Sequence, residues 1–313
     1  MGSPLRLQVP VTVSSRVVER AWRVVVDEFE ASEQALSRFR ETSEIHQARL
    51  AGGRAEAPSR RLVAAVSAAD RARRVTGGRF EPRVLRDLER LGFTPIATPS
   101  HEPHPGPGTT EWAGRIVHRE GRTGPIALPA PIDFGGIGKG LALRWAGRRL
   151  AAALAGSPFL LEAGGDIVAG GSPAGRPGAP GWRIGIEDPR PRIPGATESP
   201  LAVIELPDGG GAVATSSIRR ARWQSPDGRV VHHLIDPATG EPGGTGLLAV
   251  TVQAPDAAWS EVWSKALFLE GARGIAARAR SQGLAAWWVT ADGTVEMTAP
   301  ARARTAWLAG ETA

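Results

Sequence analysis

Two lysines, Lys139 and Lys265, stand among the 38 basic residues of this 313-residue chain, and every other one is arginine. In so Arg-rich a composition, a lysine needed only as a solvated charge could have been arginine. Lysine is a compact point charge with a tunable pKa and suits a single phosphate or anion. Lys139 lies in Asp133-Phe-Gly-Gly-Ile-Gly-Lys-Gly140, where glycines admit close backbone approach and amides at a helix start favour an anion. Gly140 follows the lysine in place of Ser or Thr, so this is not a Walker A loop. Lys265 follows Glu261 by four residues in Trp259-Ser-Glu-Val-Trp-Ser-Lys-Ala266, a spacing that puts both on one helix face. A surface ion pair is the ordinary reading of that spacing.

Two further segments carry chemistry-bearing residues. Glu162-Ala-Gly-Gly-Asp-Ile167 is a glycine turn between apolar runs, by itself a hairpin. Ala214-Thr-Ser-Ser217 precedes Arg219, Arg220 and Arg222, and then His232-His-Leu-Ile-Asp-Pro-Ala-Thr-Gly240. Hydroxyls, arginines and a histidine near an aspartate suit phosphate binding with proton transfer; a plain strand and Pro-Gly turn fits equally well. Adjacent strand residues face opposite sides, so only one of His232 and His233 can enter a given cleft.

Apolar periodicity indicates the elements that must position these groups. A short strand over about residues 5–13 leads to Ser15 as a helix N-cap. Val18, Trp22, Val25, Phe29, Leu36 and Phe39 recur at spacings of three and four, broken only at Ser32, which predicts a long helix with one apolar stripe. A second helix is expected over 59–75, buried through Leu62, Ala65, Val66 and Ala69 and stopped by Gly77-Gly78. A short third helix is expected over 84–91. Residues 94–131, rich in Pro, Gly and Thr, read as an irregular surface insertion. A helix over 140–154 is followed by strand-like runs at 159–161, 167–169, 182–186, 201–206, 229–235 and 247–253. Their Gly-, Pro- and Asp-rich separators favour antiparallel pairing. Helices over 257–269 and onward to Gln282, then a hairpin around Ala291-Asp-Gly293, close an α+β chain with no clean linker between domains.

Composition narrows the function classes. The 42% apolar content is enough for a full core and argues against disorder. With no cysteine there is no disulfide, thiolate metal site or cysteine nucleophile. The net charge of +6 and pI near 11.0 suit an acidic partner, a phosphate-bearing ligand included. The charges are scattered, however, and no zinc-finger, basic-zipper or RNA-recognition pattern accompanies them, so no nucleic-acid partner is expected. Met1-Gly-Ser-Pro-Leu-Arg lacks the parts of a signal peptide, and no uncharged apolar run is long enough to span a bilayer. The expectation is a cytoplasmic protein without a membrane segment.

Taken in order, the segments resemble the ApbE family of flavin transferases, which use FAD to attach FMN to a protein threonine. Nearly the whole chain takes part. Met1-Gly-Ser3 is similar to the family's Met-Gly-Thr start, and Leu36-Ser-Arg-Phe39 with Ser43-Glu-Ile45 to a helix end. Thr76-Gly-Gly-Arg-Phe-Glu-Pro82 is similar to a stretch that normally ends Phe-Asp-Pro. The run Asp133 to Gly140 is similar to Asp-Leu-Gly-Gly-Ile-Ala-Lys-Gly. Gly164, Gly165 and Asp166, then Thr215 and Ser216, then His233 with Asp236, Pro237, Thr239 and Gly240, match successive blocks.

The resemblance implies an α+β fold, a single transferase domain over 1–313, and FAD held in a cleft between two lobes. It implies attack of an acceptor threonine on the FMN-side phosphorus, with AMP leaving. It assigns Gly135, Gly136 and Lys139 to the phosphates, and Gly164, Gly165 and Asp166 to the cofactor site. Thr215 and Ser216 fall to the ribityl or phosphate path and Met1 to the flavin ring. His233 becomes the candidate base, since an unperturbed histidine titrates near neutrality, and Asp236 orients it or contacts flavin. The implied partners are FAD and an acceptor protein with a threonine in a small-residue motif.

The chain departs from the family pattern at the metal. The family's Asp and, four residues on, Thr bind Mg²⁺ together with a loop carbonyl; here those positions are Glu261 and Lys265, and the carbonyl is that of Gly138. A glutamate can ligate Mg²⁺, but an ammonium ligates no cation. The expectation is that Lys265, paired to Glu261, partly replaces the metal at the pyrophosphate. Ser217 and Glu162 also stand where the pattern has glycine and asparagine. The alternative functions are an FAD-binding protein that transfers nothing and an FAD pyrophosphatase giving FMN and AMP.

Overall fold

Seven strands lie side by side in the order in which the chain supplies them: β1 (Leu5–Gln8), β2 (Phe159–Ala163), β3 (Asp166–Gly170), β4 (Gly210–Ser217), β5 (Leu247–Ala254), β6 (Ala285–Thr290) and β7 (Val295–Met297). Every neighbouring pair is antiparallel. The computed structural model describes residues 4–93, 124–128, 130–174, 180–190, 199–219 and 221–310. Met1, Arg220 and most of the expected 94–131 insertion lie outside the described residues.

The sheet is covered on both faces, and its sequence shows why. Alternate residues of a strand point to opposite sides. In β2, Phe159, Leu161 and Ala163 face the helices, while Leu160 faces a second, three-stranded sheet of Arg183–Ile186, Ala202–Glu205 and Thr305–Leu308. Trp287 and Trp288 in β6 split the same way, Trp287 against Ile184, Ile204 and Leu308, Trp288 against the helical side.

The helices are α1 (Ser15–Leu36), α2 (Glu44–Leu50), α3 (Arg60–Val75), α4 (Leu85–Arg90), α5 (Gly138–Ala153), α6 (Ala257–Leu269), α7 (Gly271–Ser281) and the four-residue α8 (Ala299–Arg302). The first five are inserted between β1 and β2. Val25, Phe29 and Leu36 of the expected α1 stripe are buried, with Ala21, Ser32 and Ala35 beside them, whereas Trp22 is 36% exposed. Phe39 lies beyond the helix end at 45% exposure. Ser32 therefore does not interrupt the buried face; it is a small residue within it. Glu28 on that face accepts from Arg61 of α3 (2.7 Å) and Arg149 of α5 (2.9 Å), tying three helices together. Burial opposes its charge, but the two guanidiniums outweigh it and hold the carboxyl below its ordinary range.

Ser59 caps α3, accepting from the Leu62 amide at 3.2 Å, and Gly77 and Gly78, both at positive φ, end it as expected. Among the elements that escaped the periodicity are the seven-residue α2, β4, a run of small residues central to the sheet, and the strand Thr305–Leu308. The expected 229–235 strand is two pieces, Val230–His232 and Ile235–Asp236. No helix among the described residues is long and apolar enough to cross a membrane. The antiparallel α+β architecture is the one the sequence implied.

Candidate functional site

The site is built where α5 starts, because α5 and α6 touch there backbone to backbone. A Cβ on Gly140 would lie 2.6 Å from both the Ala257 carbonyl oxygen and the Ala258 Cα, so only glycine allows the approach. Asp256 locks the crossing: it caps α6 by accepting from the Trp259 amide at 3.1 Å and binds Arg144 of α5 at 2.7 Å. One turn into α6, Glu261 is thereby brought against the first turn of α5, which has no side-chain cap of its own. Glu261 Oε2 accepts from the Gly140 amide at 2.7 Å, satisfying one of the amides a helix start leaves free.

Lys139 lies between two carboxylates. Its Nζ donates to Asp166 Oδ2 and sits 3.4 Å from Glu261 Oε1. Asp166 opens β3 immediately after Gly164 and Gly165, both at positive φ, so this turn aims the carboxylate back at the helix start. Its Oδ1 accepts from the Thr215 amide at 3.3 Å, beyond the last β3–β4 rung at Ile167 and Val213. Both carboxylate side chains are 5% exposed, against 30% for Lys139. Burial works against the Lys139 charge, but Asp166 and Glu261 outweigh it and hold the ammonium above its ordinary pKa.

Lys265 is placed differently from expectation. It has no carboxylate in ion-pair contact among the described residues, and Glu261 pairs with Lys139 instead, because the α5–α6 contact turns that carboxylate toward Gly140. Lys265 Nζ reaches the Gly135 carbonyl oxygen at 3.4 Å. A Cβ on Gly136 would fall 3.0 Å from the same Nζ and 2.8 Å from Phe80, so the glycine loop lets lysine and ring flank it closely. Burial, reinforced by repulsion from Lys139, pushes the Lys265 pKa below its ordinary value despite the attraction of Glu261.

The remaining predicted residues divide into two groups. Thr215 and Ser216 lie at the site on β4: Thr215 Oγ1 is 2.9 Å from Thr251 Oγ1, and Ser216 Oγ is 2.9 Å from Ser264 Oγ on α6. His233 feels both lysines. Burial first, then the Lys265 charge, pushes its pKa down to about 3, and its buried Nδ1 has no hydrogen-bond partner among the described residues. It is therefore neutral at physiological pH, a weaker base than a histidine titrating near neutrality. Asp236 caps its own turn through the Ala238 amide (2.9 Å) and lies 3.5 Å from Arg79. His232 lies edge-on to Phe268.

Sequence reading gave no role to Arg38, although Ser37-Arg-Phe39 lay in a matching block. Its Nε is 3.5 Å from Asp133, whose carboxylate also accepts from the Gly135 amide at 2.9 Å, so Arg38 braces the start of the glycine loop. Its guanidinium lies over Phe39 and Phe93. Arg38 also lines a cavity of about 320 Å³ with His46, Arg49 and Arg86, which includes none of Lys139, Asp166, His233, Glu261 or Lys265.

The donor set does not suit Mg²⁺, which wants several oxygen ligands in near-octahedral geometry. Each oxygen of Asp166 and Glu261 already meets an N–H donor, from Thr215, Lys139 or Gly140. The ligand position four residues after Glu261 is an ammonium. Among the described residues, no group of three His, Asp or Glu could hold a metal ion.

The model of the ApbE family matches residues 1–288. A FAD:protein FMN transferase of Klebsiella pneumoniae is 31% identical over 138 residues, 44% of this chain and 36% of that protein. One of Haemophilus influenzae is 31% identical over 210 residues, 64% of this chain and 58% of that protein. These alignments thus span from about a third to little more than half of the relatives' own length. Among solved structures, an ApbE protein from Thermotoga maritima superposes with a TM-score of 0.78 at 25% identity, covering 97% of this chain and 96% of that one. The flavinyl transferase ApbE of Pseudomonas stutzeri shares the fold, with a TM-score of 0.72 at 22% identity and 99% and 98% coverage.

Proposed function

The chain belongs to the ApbE family, and on that footing we propose that it transfers FMN from FAD to a threonine of an acceptor protein, releasing AMP. The observation that carries this reading is the gathering of Lys139, Lys265, Asp166, Glu261 and His233 around the glycine loop that opens α5. In the proposed step the threonine oxygen bonds to the FMN-side phosphorus as the bridging P–O bond breaks, and AMP departs with that bond's electron pair. The hydroxyl proton passes to His233 or to solvent. Such chemistry depends on positioning and on neutralising charge around the diphosphate. The loop amides and Lys265 are suited to the diphosphate, and Thr215 and Ser216 to its flank.

The test is to incubate the purified protein with FAD and a family-type acceptor domain and to record intact masses. An FMN adduct with stoichiometric AMP is the expected result. The altered Glu261–Lys265 pair favours a second reading, an FAD-binding protein that does not transfer. Intact FAD without adduct, while a relative modifies the same acceptor, would establish it; free FMN and AMP without adduct would mark a pyrophosphatase.

A further inference from the structure

We propose that the two lysines divide between them the charge neutralisation a divalent cation would supply: Lys139 is the internal counter-ion of Asp166 and Glu261, and Lys265 is the cation that meets the diphosphate, so this chain binds its dinucleotide without a metal. The inference rests on the proposed function for the identity of the ligand, FAD.

Three features support the division. Lys139 is committed inside the fold, its ammonium held by two carboxylates that are themselves almost wholly covered. Its own charge is thereby matched within the fold and is not free for a ligand. Lys265 is half-buried like Lys139 but partnered differently: it is within reach of one carbonyl oxygen at 3.4 Å and has no carboxylate in ion-pair contact among the described residues. A partly desolvated ammonium beside a second ammonium calls for an anion. Its position supplies the third feature. Lys265 lies against Gly135 and Gly136, in the loop that leads into α5, so its ammonium adds to the positive end of that helix, and Gly135 beside it is exposed.

Donor counting agrees. A divalent ion among Asp166, Glu261 and Lys139 would compete with Lys139 and with the Thr215 and Gly140 amides for oxygens that already have donors. A diphosphate carries about two negative charges, and one lysine with loop amides meets part of that charge without any ion.

The experiment measures FAD affinity of the full chain by flavin fluorescence and equilibrium dialysis, after exhaustive chelation and again with millimolar Mg²⁺. The two affinities are expected to agree within about twofold, since a Mg²⁺ ion needs oxygen ligands the site does not offer. Lys265→Met should weaken binding about tenfold or more with or without Mg²⁺, the loss of one charge-assisted contact. Lys265→Arg should retain part of it. Unchanged circular dichroism and melting temperature confirm that the variants fold. A tenfold gain from Mg²⁺ in the unaltered chain would overturn the inference, as would undiminished binding by Lys265→Met. If FAD binds in neither arm, the proposed function itself fails and takes this inference with it.

Discussion

Lys139 bridges two carboxylates that the chain supplies from distant segments, one from the glycine turn before β3 and one from α6. Removing a shared buried cation leaves like charges facing each other in a poorly solvated place, which costs about 3–5 kcal/mol in comparable sites. Lys139→Met should therefore lower stability by about 3 kcal/mol in urea unfolding, and adding Glu261→Gln should recover part of the loss. A loss below about 0.5 kcal/mol would mean that water already screens the pair. The sign of the pH dependence follows from the raised pKa. The folded chain holds the Lys139 proton more tightly than the unfolded one, so this contribution is fully present below about pH 10.4 and disappears only as pH rises through the higher folded value. At this scale the sequence was partly legible. Both lysines and both carboxylates stood out by type, but the spacing of four suggested Glu261 with Lys265. The actual partner is Lys139, brought near by a helix contact that no local spacing records. The neutrality of His233 was hidden for the same reason, since burial and a lysine from another element create it.

Helix α6 was legible from end to end: Asp256 is a capping residue, and the following thirteen residues are buried on nearly every side. Helix α3 was legible through Ser59 and the Gly77-Gly78 stop. Strand β4 was not, because Gly-Gly-Ala-Val-Ala-Thr-Ser-Ser has small residues where a strand normally shows branched or aromatic ones. Those small residues suit a position under α6, where Ser260 donates to the Ala212 carbonyl at 3.2 Å. The same closeness makes Gly140 the most sensitive point of the scaffold. Gly140→Ala would place a methyl 2.6 Å from the α6 backbone, which cannot yield as a side-chain tip can. The expected cost is about 3 kcal/mol, measured by thermal unfolding, with weakened FAD binding because Glu261 is carried away from the Gly140 amide. A melting temperature unchanged within a degree would show that the helices separate freely.

For the whole molecule, the sheet order explains how the lobes are joined. The strands from β2 to β7 follow one another along the chain, yet β1 meets β2 only after the whole helical lobe, Leu5 pairing with Ala163. The site stands at that junction: its glycine loop comes from the inserted lobe, and Asp166 and Thr215 come from the sheet. The family match spans both parts, residues 1–288, in keeping with a site that neither supplies alone. The β1–β2 pairing also sets a timetable for synthesis. The first strand leaves the ribosome with nothing to pair against, and Val25 and Phe29 of α1 wait for α5 and β2 to cover them. At about 5–20 residues per second, that interval lasts roughly 8–30 s. Ribosome-bound chains stopped shortly before Phe159 emerges should be cut by protease within α1, and chains stopped after Gly170 emerges should resist. Equal resistance at both lengths would show that the helical lobe shelters its own first helix.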